Sequence, residues 1–238
     1  MARESRPKSI AVIPDGNRRY AKKHGLPLEV AYAKGFQKVN SVLEWAFEEK
    51  VRRMSFWALS FENFKKRSSL ELRVLFGLMR EKMNEALHAP EFKERDVRIK
   101  FFGRVDLLPK TIQELVKEIE EKTGERSEFE LQVGIAYSGQ EEIIRASTMI
   151  AQELAAGRVS EEQLQRMPAN NFYKYLYTSF EPDMVIRTGG VHRLSGFLPF
   201  QSAYSEYYFS PKLWPEFSKK DFQKSVWEYE NAQRRFGK

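Results

Sequence analysis

Two stretches of this sequence place side chains in patterns that can handle phosphate. In IPDGNRRYAKKHG, from Ile13 to Gly25, the residues Asp15, Gly16 and Asn17 stand directly before Arg18, Arg19 and Tyr20. The first backbone N–H groups of a helix lack intrahelical partners and carry partial positive charge, so a corner that opens a helix attracts anions. Gly16 lets a ligand approach the backbone, and Arg18 and Arg19 add forked donors suited to phosphate oxygens. A carboxylate fits beside an anion only if a hard cation bridges the two, as Mg²⁺ does for diphosphates. Asp15-Gly16-Asn17 also reads as an ordinary turn with an N-cap, and the stretch alone leaves both readings open. The second stretch, Ile186 to Glu206, holds Arg187 at a strand end, the glycines Gly189 and Gly190, then Arg193 and Ser195, which could grip another anion through a fork and a hydroxyl. Glu206 follows as a lone carboxylate among aromatic residues. Singly these residues have plainer uses as ion-pair partners, a turn and a surface acid. Together with the first corner they suggest two phosphate sites and a metal.

Each stretch begins where an apolar run ends. Ile10–Ile13 reads as a short buried strand stopped by Pro14, and further strands are expected at Met54–Ser60, Val97–Phe102, Phe129–Tyr137, Met184–Arg187 and Glu206–Phe209. Helices are expected between them. One runs from Arg18 to Gly25, a second carries Phe36, Val39, Val42, Leu43, Ala46 and Phe47 on one face, and a long third carries Leu72, Leu75, Phe76, Met79 and Met83. Pro109 opens another, Gly139 leads into the next, the Ser160-to-Gln163 spacing fits a capping box, and a last helix from Ser218 is expected to end at Arg234–Gly237. Strands alternating with helices predict a single α/β domain over residues 1–238, with a mostly parallel six-stranded sheet flanked by helices and ligands at the carboxyl ends of the strands.

Composition narrows the partners. A hydrophobic fraction of 42% with 18 phenylalanines suits a folded globular chain, and no apolar run is long enough to span a bilayer. MARESRPKSI lacks the apolar segment of a secretory signal and there is no cysteine, so a cytoplasmic location is expected. A net charge of +7 favours an acidic partner: nucleic acid, an anionic membrane surface or a phosphorylated small molecule. No nucleic-acid motif is present, and the basic residues sit at strand–helix corners instead of along one stripe, which argues against nucleic acid.

Over nearly its whole length the chain resembles the cis-prenyltransferases, the undecaprenyl diphosphate synthase group. The resemblance rests on DGNRRYA (Asp15 to Ala21), SFENF (Ser60 to Phe64) with Arg67 and Glu71 after it, IRTGG (Ile186 to Gly190), HRLSGFLPFQ…AYSE through Glu206, and WPEF at Trp214. It implies that Asp15 binds Mg²⁺ and assists departure of an allylic diphosphate, with Gly16, Asn17, Arg18, Arg19 and Tyr20 around that diphosphate and Tyr32 nearby. Ser60, Phe61, Glu62, Asn63, Phe64 and Arg67 fall on a mobile loop region that positions substrate, with Asn63 as proton acceptor. Arg187, Arg193, Leu194 and Ser195 match the pocket for isopentenyl diphosphate, Glu206 matches a second metal ligand, and Arg235-Phe236-Gly237 resembles a signature that reaches across a homodimer. The growing hydrocarbon would need an apolar tunnel between sheet and helices, for which the face of Leu72, Leu75, Phe76, Met79 and Met83 is the expected wall.

The resemblance therefore implies an enzyme that condenses isopentenyl diphosphate in cis onto an allylic diphosphate primer, giving a long polyprenyl diphosphate that is the precursor of a glycosyl carrier lipid. The FLPFQ wording is similar to archaeal members, which points to geranylgeranyl diphosphate as primer. Peripheral membrane contact would serve product release. Departures from the family pattern are Tyr32, where a histidine is usual, Leu28, where an arginine is common, and Val191, where a glutamate is frequent. The rival reading is a subunit of a heteromeric enzyme with little activity alone, against which the retained Asp15, Asn17, Arg187, Arg193 and Glu206 argue.

Overall fold

The computed structural model describes residues 6–232. Its six strands are β1 (Ser9–Ile13), β2 (Arg53–Ser60), β3 (Val97–Phe102), β4 (Phe129–Tyr137), β5 (Met184–Arg187) and β6 (Glu206–Phe209). They form one sheet in the order β3-β4-β2-β1-β5-β6, and every neighbouring pair is parallel. β1 and β5 are buried along their whole length, as strands covered by helices on both faces must be. That is why they read as unbroken apolar runs. The strands agree with expectation to within one residue at each end.

Alternation along β1 sorts the core into two layers. Ile10 and Val12 face one side, together with Leu43, Met79, Ile112 and Phe222, while Ala11 and Ile13 face the other with Trp57, Tyr137 and Phe197. The covering helices are α1 (Asn17–His24), α2 (Leu28–Glu48), α3 (Phe61–Lys66), α4 (Ser69–His88), α5 (Pro90–Glu94), α6 (Lys110–Thr123), α7 (Gly139–Ala155), α8 (Glu161–Gln165), α9 (Ala169–Phe172) and α10 (Lys219–Asn231). Gly25 ends α1 in the left-handed conformation at φ 62°, and Ser160 and Gln163 form the expected reciprocal cap of α8. The expected end of the last helix at Arg234–Gly237, and the Arg235-Phe236-Gly237 signature, lie outside the described residues.

One local expectation is corrected. The stretch after Ser60 is a short helix, α3, instead of a loop, because the Ser60 hydroxyl accepts the Asn63 N–H at 3.0 Å and nucleates the turn. Among the described residues no helix is long and apolar enough to cross a membrane.

Candidate active site

The sheet runs to either side of β1, with β2 on one flank and β5 on the other, so the carboxyl ends of β1 and β5 flank a topological switch point. Ile13 pairs with Arg187 across it. Asp15 follows two residues later. Gly16 occupies the N-cap of α1 at φ 124°, and no side chain caps that helix, so the plain-turn reading with a side-chain cap does not hold. A Cβ on Gly16 would stand 2.9 Å from the Leu213 Cα, which makes glycine a steric necessity there. The corner is pinned from behind: the Trp214 N–H and the Thr188 hydroxyl both donate to the Asp15 carbonyl, at 3.0 and 2.8 Å. The Trp214 indole N–H donates to the Gly35 carbonyl at 2.8 Å, tying the corner to α2.

The two arginine-bearing stretches meet at this corner. Arg187 is 6% exposed, and its guanidinium donates to the Asp15 carboxylate at 2.9 Å, the Ser195 hydroxyl at 2.8 Å and the Arg193 carbonyl at 2.5 Å. Arg19 donates to the other Asp15 oxygen at 3.1 Å and to the Gly189 carbonyl at 2.6 Å. A Cβ on Gly189 would come within 2.3 Å of the Arg19 guanidinium, so that glycine is the cradle for it. Arg193 donates to the Ser195 hydroxyl at 3.2 Å, and Arg18 is exposed beside them. Fixed positive charge and the uncapped N–H groups of α1 thus converge around one carboxylate.

These groups line one end of a cavity of about 1510 Å³ between the sheet and the helices α2 and α4. Asp15, Gly16, Asn17, Arg18, Arg19, Tyr32, Ser60, Glu62, Asn63, Arg67, Arg187, Arg193 and Ser195 all line it. Beyond them the wall turns apolar, with Phe36, Val39 and Leu43 from α2, Leu75 from α4, and Leu59, Ile99, Leu131 and Val133 from the sheet. The expected wall is corrected here: of the α4 stripe only Leu75 borders the cavity, while Met79 and Met83 are core residues at 3% and 6% exposure, and Leu72 and Phe76 pack against that core. Lys82, Glu85 and His88 border the far end, near the C-terminus of α4.

Five of the expected site residues do not line the cavity. Tyr20 packs on His24 with ring centres 4.3 Å apart, Phe61 lies under Lys65 and Arg104, Phe64 packs on Phe76, and Leu194 packs against the core on the other face of the sheet. Glu206 lies apart from Asp15 within one chain. It opens β6 opposite Met184, three residues before the level of Arg187, and so sits at the other end of the sheet. Glu71, which follows SFENF and Arg67 and has no role implied by the resemblance, accepts the Tyr32 hydroxyl at 2.5 Å. Thr188 lies within IRTGG, but its role in pinning the Asp15 carbonyl has no sequence signal, since a lone threonine after a strand carries no diagnostic spacing.

The profile of the family described as "Putative undecaprenyl diphosphate synthase" matches residues 13–237. The chain is 39% identical over 235 residues to a tritrans,polycis-undecaprenyl-diphosphate synthase (geranylgeranyl-diphosphate specific) of Thermoplasma volcanium, covering 98% of this chain and 90% of that protein. It is 40% identical over 238 residues to the protein of the same name from Pyrobaculum aerophilum, covering 98% and 96%. Its fold matches the crystal structure of lavandulyl diphosphate synthase from Lavandula x intermedia in complex with dimethylallyl diphosphate, with a TM-score of 0.90 at 26% identity, covering 98% of this chain and 99% of that one. The chain therefore belongs to the undecaprenyl diphosphate synthase family of prenyltransferases.

Proposed function

We propose that this chain transfers allylic prenyl groups to isopentenyl diphosphate, repeatedly and in cis, to build a long polyprenyl diphosphate that serves as precursor of a glycosyl carrier lipid. The carrying observation is the Asp15–Arg187 contact at 2.9 Å, which joins two arginine-rich corners at one end of a cavity whose interior is apolar. Geranylgeranyl diphosphate is the primer, by analogy with the names of the two archaeal relatives.

The allylic carbon becomes electrophilic as its diphosphate departs, so the barrier falls when fixed donors meet the growing negative charge. Arg18, Arg19 and the first N–H groups of α1 supply those donors without reorganising. Arg193 and Ser195, braced by Arg187, hold the second diphosphate so that its double bond lies beside the allylic carbon. Such positioning contributes roughly 7–11 kcal/mol at best. Asn63 lines the same cavity and is the residue assigned to accept the proton that leaves.

Among the described residues there is no cluster of three or more acidic or histidine side chains suited to a metal. The donor set nevertheless fits Mg²⁺, which is commonly held by one or two carboxylates together with substrate phosphates and water. Asp15 is the carboxylate that would hold it. Bound there, the ion would neutralise charge on the leaving diphosphate. The chain acts as a cytoplasmic homodimer and contacts the membrane to release its product.

Purified protein with Mg²⁺, radiolabelled isopentenyl diphosphate and primers of several lengths tests this reading, with products resolved by thin-layer chromatography. Long polymer from geranylgeranyl diphosphate is the expected result. Absence of polymer unless a second protein is added would replace it with the heteromeric-subunit reading.

A further inference from the structure

Tyr32, Arg67 and Glu71 meet beside the cavity from three different segments. Tyr32, early in α2, is 4% exposed and donates its hydroxyl to Oε1 of Glu71 at 2.5 Å. Arg67, between α3 and α4, brings its Nε to 3.3 Å from the same oxygen and its guanidinium carbon to 5.5 Å from the Tyr32 ring centre. Glu71 sits in the first turn of α4, where the Ser68 hydroxyl accepts its N–H at 3.2 Å. Tyr32 and Arg67 line the cavity, whereas Glu71 does not. The Arg67 Nε is buried and too poorly aligned for a hydrogen bond, and among the described residues no hydrogen bond occupies its terminal nitrogens.

We infer that Tyr32 is a positioning residue that acts through Glu71 to keep the Arg67 fork free for the allylic diphosphate, and is not itself a diphosphate ligand. The inference rests on the prenyl-transfer reading above. A phenol has one proton to donate, and Tyr32 spends it on Glu71 in a short charge-assisted bond. Burial, reinforced by that bond, pushes its pKa up to about 12, so the donor persists at physiological pH. Without the hydroxyl, the best remaining partner for Glu71 is Arg67. Arginine and carboxylate close readily into a bidentate pair, which draws the fork away from a ligand.

The test is a double-mutant cycle of Tyr32→Phe and Glu71→Gln. Inorganic pyrophosphate is titrated against the fluorescence of Trp57 and Trp214, which border the cavity, and primer KM and kcat are measured beside it. Tyr32→Phe alone is expected to weaken pyrophosphate binding by about tenfold, the scale of a lost hydrogen bond to a charged group. It should raise primer KM more than it lowers kcat. In the Glu71→Gln background no charge remains to pull the guanidinium back, so Tyr32→Phe costs nothing further. An equal loss in both backgrounds would make Tyr32 a direct ligand and overturn the inference, as would no loss in either. If Tyr32→Phe fails to fold, Tyr32→His keeps a ring donor and is expected to retain wild-type binding; tenfold weaker binding by that variant overturns the inference as well. A wild-type chain that binds pyrophosphate but makes no polymer would count against the prenyl-transfer reading and leave the cycle readable.

Discussion

At the charged end of the cavity Arg187 and Arg19 hold the Asp15 carboxylate at 2.9 and 3.1 Å, while at its apolar middle Val39, Leu43 and Leu75 meet the cavity with side chains that offer nothing to hydrogen-bond. The first region depends on direction: each donor is aimed by a backbone device, such as the glycine at 189 or the Trp214 anchor. The second depends on volume and on exclusion of water, so its residues are interchangeable within limits of size. Substitutions in the first should change rate with little change in product, and those in the second should change product with little change in diphosphate binding.

Asp15→Ala tests the charged end most severely. It removes the one carboxylate between two arginines and the group assigned to Mg²⁺, and turnover is expected to fall by about 10²–10³-fold, the loss typical of a pre-oriented charge-stabilising group. Circular dichroism should show an intact fold. Near-normal turnover would remove Asp15 from its assigned role. The apolar region is tested by a pair of substitutions. Val39→Trp fills cavity volume and should shorten the products seen by thin-layer chromatography without altering pyrophosphate affinity. Met79→Ala, in the buried stripe of α4, should cost about 2–5 kcal/mol in denaturant unfolding and leave product length unchanged. A shift in product length with Met79→Ala would return the α4 stripe to the wall.

The difference between the regions also explains what the sequence made legible. Strands buried on both faces appear as unbroken apolar runs, and a strand that ends in Pro14 or Arg187 announces its carboxyl end, so the sheet and the placement of both anion corners could be read directly. Periodicity identified the apolar faces of α2 and α4 but could not say what each faces. Leu43 borders the cavity although Val42, one residue earlier, is closed core, and both belong to the same sequence stripe. The position of Glu206 was illegible for a related reason: only the β5–β6 register shows that it starts its strand and does not end it. The Tyr32–Glu71 bond spans 39 positions and two helices, and no local pattern encodes it.

That bond gives the smallest expected effect and the sharpest check on the border between the two regions. Tyr32 ionises near pH 12 in the folded chain, against 10.0 for an ordinary tyrosine, because burial and the adjacent Glu71 carboxylate disfavour the phenolate. Between those values the folded chain binds more protons at this site than the unfolded chain does, so the slope of stability with pH is negative. The contribution is therefore complete below pH 10 and is lost as pH rises through 12. Tyr32→Phe abolishes the difference. The gap in Tm between wild type and Tyr32→Phe should be constant from pH 7 to 9 and narrow steadily above pH 10, since the lysines that titrate in the same range are common to both proteins. A gap that stays constant to pH 11 would mean that the Tyr32 hydroxyl is not engaged with Glu71 in solution.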